Sequence, residues 1–196
     1  MVLALLWMSL TLLGALQSQA SGKLHVPKPM HIVLSKIRLQ PNFMEDRFQG
    51  KWYALAVAEN TIRNGSESQF QMYSITFDLN KDHSYSVSTK TQRGQDCQNW
   101  DLTFVPSHVR GQFDLGHKKL YPGIQTYTMR VSSTDYNQYA LVFLKMKFKN
   151  HLFYETTLYG RTKELNTDLK ERFIDFVTDI GYDNENIIIH DSIGKD

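Results

Sequence analysis

The feature that most constrains this 196-residue chain is a period of two that keeps returning. Tyr73, Ile75, Phe77 and Leu79 alternate with Ser74, Thr76 and Asp78, and Trp100, Leu102 and Phe104 with Asn99, Asp101 and Thr103. Tyr127, Met129 and Val131 alternate with Thr128 and Arg130, while Val142, Leu144, Met146 and Phe148 oppose Lys145, Lys147 and Lys149. Successive side chains of a strand point to opposite faces, so each run predicts a strand with one apolar and one wet face. Eight such strands are expected, at 51–58, 70–79, 84–91, 99–105, 111–115, 125–132, 139–147 and 152–160. Turn-forming pieces separate them, among them Asn80-Lys81-Asp82, Arg93-Gly94, Pro106-Ser107, Tyr121-Pro122-Gly123 and Lys149-Asn150. Short, evenly spaced strands read as an up-and-down antiparallel barrel or a sandwich. Eight strands closed on themselves leave an interior wide enough for one small ligand.

One segment breaks the pattern. Leu169, Phe173, Phe176, Val177 and Ile180 recur at spacings of three and four, which predicts an amphipathic helix packed on the core by its apolar stripe. Asn166 or Thr167 caps its start, and Gly181 stands where a left-handed residue would end it. The apolar run 187–189 then predicts a short ninth strand. The fold class is therefore all-β, with one C-terminal helix.

The first twenty residues belong to a different kind of segment. Residues 2–16 carry no charge, yet the run is shorter than the roughly 20 apolar residues a spanning helix needs. Ser18-Gln19-Ala20 supplies small residues at a signal-peptidase spacing, so 1–20 reads as a signal peptide cleaved after Ala20 and the protein as secreted. A membrane anchor is the alternative; polar residues beginning at Gln17 and the lack of a stop-transfer pattern argue against it. Residues 21–196 form a single domain, its first stretch, 21–48, an extended arm with Pro27, Pro29 and Pro41. Asn64-Gly65-Ser66 is the one N-x-[ST] sequon, making Asn64 the candidate glycosylation site.

Composition narrows the function. A net charge of +2 gives no electrostatic footprint for nucleic acid. The single cysteine, Cys97, excludes an intrachain disulfide and a multi-cysteine metal site. The seven histidines are scattered without an H-E-x-x-H, and no P-loop or G-x-G-x-x-G occurs, so neither a metal nor a cofactor is expected.

Three short motifs fall at telling places on this strand plan. Gly50-Lys51-Trp52 opens the first strand, Thr134-Asp135-Tyr136 occupies the turn between the sixth and seventh, and Arg161 follows the eighth in Tyr159-Gly160-Arg161-Thr162. Together they resemble the three signature regions of the lipocalin family. The resemblance implies an eight-stranded barrel whose closed end is plugged by Trp52, with Arg161 lying across the indole ring. The longer blocks Phe48-Gln49-Gly50-Lys51-Trp52-Tyr53, Thr103-Phe104-Val105-Pro106, Thr134-Asp135-Tyr136-Asn137-Gln138 and 158–165 are most similar to siderophore-binding members of that family.

Those members hold anionic ferric catecholates in a cup lined by one Arg and two Lys, and the matching positions here are Leu102, Met146 and Glu155. The aromatic positions Tyr73, Trp100, Tyr127 and Tyr159 look retained. The resemblance thus implies a cup with an aromatic wall and no attraction for an anion. Glu155 reads either as a solvated or lysine-paired carboxylate near the mouth or as a group that orients an amine or hydroxyl. Cys97 matches one half of the disulfide usual in the family; its partner position falls near Ser192, so the thiol is left buried, capped or bridged to a second chain.

The leading reading is a secreted, non-catalytic carrier of a small hydrophobic ligand. Its lining would draw on Tyr73, Trp100, Leu102, Tyr127, Leu144, Met146, Phe153, Glu155 and Tyr159, with Ala54, Val57, Ile62 and Met129 beside them. For the aromatic residues nearest Trp52 plain core filling is the simpler account. A siderophore binder is the alternative. One enzymatic branch of the family, a prostaglandin synthase, uses a cysteine inside the barrel; the inward second-strand positions here are Tyr73, Ile75 and Phe77, and Cys97 sits in a loop before the fourth strand. The lysines at 145, 147 and 149 read as a solvated face or an edge guard rather than a docking strip. Expected partners are the small ligand and, as an open class, a cell-surface receptor. A monomer without membrane insertion is expected, with a Cys97-linked dimer left open.

Overall fold

The computed structural model describes residue 32 and residues 36–60, 72–93 and 96–190, with backbone alone over 91–93 and 96–100. The expected signal peptide, the arm before residue 36 apart from Ile32, Asn64, Ile62 and Ser192 lie outside the described residues.

Strand β1 (Gly50–Glu59) is followed by β2 (Tyr73–Leu79), β3 (Tyr85–Arg93), β4 (Asp96–Pro106), β5 (Gln112–Leu115), β6 (Ile124–Thr134), β7 (Tyr139–Phe148) and β8 (His151–Gly160). Each pairs antiparallel with the next, and β1 pairs with both β8 and β2, so the sheet closes into a barrel. A ninth strand, β9 (Ile187–Ile189), adds to the outer edge of β1 along Ala56–Ala58. A bulge between Ala54 and Ala56 shifts the β1–β8 register. The extra residue turns Leu55 and Ala56 together to the outer wall, and both faces of β1 are buried.

Two expectations need correction. The segment before β1 is not extended throughout, because Glu45–Phe48 forms one helical turn, α1, that drops Phe48 into the core. Cys97 lies not in a loop but within β4, opposite Gln92 of β3. The chain there reads Asp96-Cys97-Gln98-Asn99, without apolar alternation, so the strand is set by backbone pairing rather than by burial of one face.

The long helix among the described residues, α2 (Thr167–Ile180), lies on the barrel's outer wall. Of the two cap candidates Asn166 is the one used: its Oδ1 accepts the Leu169 N–H at 2.8 Å. Gly181 closes the helix at φ +115°, where a side chain would be strained. Phe173, Val177 and Ile180 are wholly buried against Leu55, Leu141, Phe143 and Leu158, each contributing about 1.5–3 kcal/mol relative to exposure. The helix therefore closes a second core outside the barrel and leaves the interior untouched.

Candidate functional site

Among the described residues the barrel shows a plugged end and a lined cavity, and different chemistry builds each. At the plug, Phe48 packs against Trp52, Phe77 and Tyr85 at centroid distances of 5.0–6.0 Å, and Phe43 against Phe48, Phe113 and Tyr136 at 5.3–6.2 Å. The Trp52 Nε1 donates to the Phe48 carbonyl at 2.8 Å. Arg161 lies over the indole with its guanidinium carbon 3.6 Å from the ring centroid. Its nitrogens donate to the carbonyls of Tyr136, Lys51, Arg47 and Gln49 at 2.9–3.1 Å and to Phe48 at 3.4 Å. Gly50, at φ +95°, leaves room for this guanidinium: a Cβ there would sit 3.3 Å from Nη1.

The Thr134-Asp135-Tyr136 turn is capped by its own side chains. Asp135 Oδ1 accepts the N–H groups of Asn137, Gln138 and Tyr139 at 2.8–3.1 Å, while Thr134 Oγ1 accepts from the Tyr136 N–H and donates to the Tyr139 carbonyl. Tyr136, held in the left-handed region at φ +68°, accepts the Met44 N–H on its hydroxyl. The six signature residues Gly50, Trp52, Thr134, Asp135, Tyr136 and Arg161 are thus one closing device at one end of the barrel.

Above the plug is a cavity of about 150 Å³. Tyr73, Ile75 and Phe77 from β2, Val87 and Thr89 from β3, Leu102 and Phe104 from β4, Tyr127 and Met129 from β6, Val142 and Leu144 from β7, and Glu155 and Tyr159 from β8 line it. Every one of these sits at an inward position of the period-two pattern. Of the nine ligand-binding residues expected from sequence, Tyr73, Leu102, Tyr127, Leu144, Glu155 and Tyr159 meet here. Met146 and Phe153 pair across from Tyr127 and each other in one register row but stay out of the lining. Tyr127 reaches inward to stack edge-on against Phe104 at 5.3 Å, whereas Phe153 turns to His151 at the rim, 6.3 Å away. Trp100 stands opposite Thr89 in the β3–β4 ladder; its side chain lies outside the description. Ala54 and Val57 are buried but not in the lining.

Ile75, Phe77, Val87, Thr89, Phe104 and Val142 line the cavity without having been expected to. The signal that would have found them is their inward parity with Tyr73, Leu102 and Leu144, read on β2, β3, β4 and β7.

The polar groups of the cavity are few and connected. The Tyr73 and Tyr159 hydroxyls are 3.1 Å apart and share a hydrogen bond, and Thr157 Oγ1 donates to Glu155 Oε1 at 2.8 Å. Burial raises the pKa of all three lining tyrosines, with the Glu155 charge adding to it for each and Tyr159 adding further for Tyr73 and Tyr127. They are neutral hydrogen-bonding groups at physiological pH. No lysine, arginine or histidine is among the described lining residues.

A larger depression of about 590 Å³ lies outside the plugged end, where Glu45 bonds His83 Nδ1 at 2.8 Å beside Arg110 and His108. It is an open furrow between loops, and among the described residues no cluster of three metal-ligating side chains occurs. No described helix is long and apolar enough to cross a membrane.

Residues 49–192 match the Lipocalin / cytosolic fatty-acid binding protein family. Neutrophil gelatinase-associated lipocalin of Homo sapiens is 44% identical over 190 residues, covering 96% of this chain and 94% of that protein; the Rattus norvegicus protein of that name is 43% identical over equal coverage. The solution structure of lipocalin 12 from rat epididymis superposes with a TM-score of 0.73, covering 81% of this chain and 91% of that one. At 24% identity that likeness speaks to the fold alone.

Proposed function

The chain belongs to the lipocalin family, whose members bind small hydrophobic molecules inside a barrel, and from that premise we propose that it is a secreted, non-catalytic carrier of a small, largely apolar ligand. The observation that carries this reading is the barrel cavity walled by Ile75, Phe77, Val87, Phe104, Met129, Val142 and Leu144, with few polar groups among them. The volume favours a compact guest: about 150 Å³ accommodates a molecule near benzene in size. Secretion is inferred from residues 1–20, and glycosylation from Asn64.

Two observations weigh against the other readings. A ferric catecholate is anionic, and the positions that match the basic groups of siderophore-binding members are Leu102, Met146 and Glu155, so the three basic groups that would attract it are missing. An acyl or isomerase chemistry would need an activated nucleophile, and no cysteine, serine, lysine or histidine is among the described cavity-lining residues.

Isothermal titration calorimetry tests the reading, with propylbenzene and a medium-chain alcohol in one arm and ferric enterobactin in the other. Binding of the neutral probes with a negative heat-capacity change, and none of the ferric complex, is the expected result. Tight binding of ferric enterobactin would overturn it and make the protein an iron sequesterer.

A further inference from the structure

Charge is segregated along this chain. From Gly116 to Tyr154 the sequence holds six lysines and arginines and a single carboxylate, Asp135. Asp135 belongs to the β6–β7 turn at the plugged end, where its Oδ1 takes three backbone N–H groups. The opposite, open end therefore receives Lys118 and Lys119 from the β5–β6 connection, and Lys147 and Lys149 from the end of β7 and its turn, with no acid on either segment.

The two connections are built as one surface. The Lys149 N–H donates to the Gly123 carbonyl at 2.9 Å, and Gly123, at φ +97°, lies so close on the Phe148 ring that a Cβ there would sit 2.6 Å from it. The Lys149 ammonium stands 5.4 Å from the centroid of the same ring. A single 3-10 turn, Lys118–Leu120, forms the apex of the first connection, and the Tyr121 hydroxyl ties it to β4 by donating to the Asp101 carbonyl at 3.1 Å. Lys118, Lys119 and Leu120 are all exposed; at 71% Leu120 is the most exposed of the large apolar residues described. Leu152, also exposed, stands opposite Lys147 in the β7–β8 ladder. The carboxylates whose side chains are described on β4 and β5 are Asp101 and Asp114, and Asp114 is occupied by the Thr128 hydroxyl at 2.6 Å. None of the four lysines forms an ion pair among the described residues. Nor do those of β7 guard a sheet edge, since that strand is paired with β6 on one side and β8 on the other.

We propose that the open end of the barrel docks on an anionic lipid surface, with Leu120 seated below the headgroups and Lys118, Lys119, Lys147 and Lys149 against the lipid anions. A cationic rim alone would suit any polyanion; the exposed leucines discriminate. A sulfated polysaccharide gains nothing from Leu120, whereas a bilayer takes an aliphatic side chain at the acyl boundary while the flanking ammoniums stay at the level of the phosphates. The contact is peripheral, and it turns the mouth of the barrel toward the phase in which apolar molecules dissolve. It rests on the rim and is independent of what the cavity holds.

The test is sedimentation of protein made from the full chain in a secreting cell with two sets of vesicles, one of phosphatidylcholine and one in which about a third of the lipid is phosphatidylserine. Binding to the anionic vesicles is expected to exceed binding to the neutral ones by at least about tenfold and to weaken with added salt. Each lysine near such a surface is worth about fivefold, so Lys118→Gln with Lys119→Gln should lower the affinity about 25-fold, while Lys163→Gln at the plugged end leaves it unchanged. Leu120→Ser should weaken vesicle binding and leave retention on a heparin column as it was. Equal affinity for the two vesicle types, or none for either, overturns the proposal. Vesicle binding that survives Leu120→Ser, or heparin retention without vesicle binding, overturns it in favour of a soluble polyanion. The wild-type comparison of vesicles decides even if a variant fails to fold, and none of these outcomes touches the carrier reading, which the calorimetry above tests.

Discussion

Replacing Arg161 with alanine puts the closing device under the most direct strain. The guanidinium spans five backbone carbonyls from three parts of the chain: Arg47, Phe48 and Gln49 before β1 or at its threshold, Lys51 within it, and Tyr136 in the β6–β7 turn. Hydrogen bonds from a charged group are worth about 1.5–3 kcal/mol each, but they do not add, and most of these carbonyls can turn to water once the side chain is gone. Phe48 O keeps the Trp52 Nε1–H, which leaves Tyr136 O as the stranded acceptor. One stranded carbonyl costs about 1–3 kcal/mol, and the lost ring contact at 3.6 Å about 0.5–2 more. A loss near 3 kcal/mol follows, read as a fall in the urea midpoint of about 1.5 M if m is about 2 kcal/mol/M for a chain this size. Arg161→Lys should recover only a minor part, because one ammonium cannot fork across carbonyls on both sides of the ring. Since Arg161 does not line the cavity, the folded variant should bind propylbenzene as the parent does. A midpoint shift below about 0.3 M for the alanine variant, on the same m, would refute the reasoning.

Two other outcomes are expected. Tyr73, Tyr85, Tyr127, Tyr159 and Tyr182 all have pKa values raised chiefly by burial, so the folded state holds their protons above pH 10 while the unfolded chain releases them. Stability from these groups is complete below about pH 10 and falls as pH rises beyond it. Phenolate absorbance at 295 nm should therefore develop in two stages, the second coinciding with loss of the β-sheet circular dichroism signal; smooth ionisation of all ten tyrosines before unfolding would contradict the burial argument. The triple variant Leu102→Arg, Met146→Lys, Glu155→Lys should draw anions into the cavity, so that 3-phenylpropanoate outbinds propylbenzene and the gain shrinks with added salt. An unchanged ranking would mean that these positions do not set the charge preference.

The barrel was legible because its interior is written twice in the chain, once as alternation and once as the turns between runs. The eight expected strands match the observed ones closely, and the misses share a cause. Around Cys97 the residues are polar on both faces, so nothing in the pattern betrays that β4 begins at Asp96. The turn Glu45–Phe48 is too short to show a helical period; the sequence there displays only Phe43 and Phe48, which turn out to be two walls of the plug. In the helix, alternation gave way to a clear 3.6 period, yet Asn166 and Thr167 remained equal as caps until one carbonyl oxygen was seen to take the Leu169 N–H.

The cavity was only half legible, for a geometric reason. A period of two states which side chains face inward and says nothing of depth along the barrel axis. Depth comes from register, which requires knowing that Leu144 lies opposite Glu155, while Met146 lies opposite both Tyr127 and Phe153. Met146 and Glu155 differ by one step of the ladder, and that step separates a residue outside the lining from one at its polar centre. Side-chain length then decides within a row: Tyr127 extends to Phe104, while Phe153 leans to the rim. Matching to siderophore-binding members gave all three changed positions equal weight, because a correspondence of residues carries charge but not distance. Glu155 and Leu102 reach the cavity; Met146 does not. Of the three changed positions, Glu155 is the one whose charge reaches each of the three lining phenols. A cation in place of that carboxylate would draw anions toward the same aromatic walls.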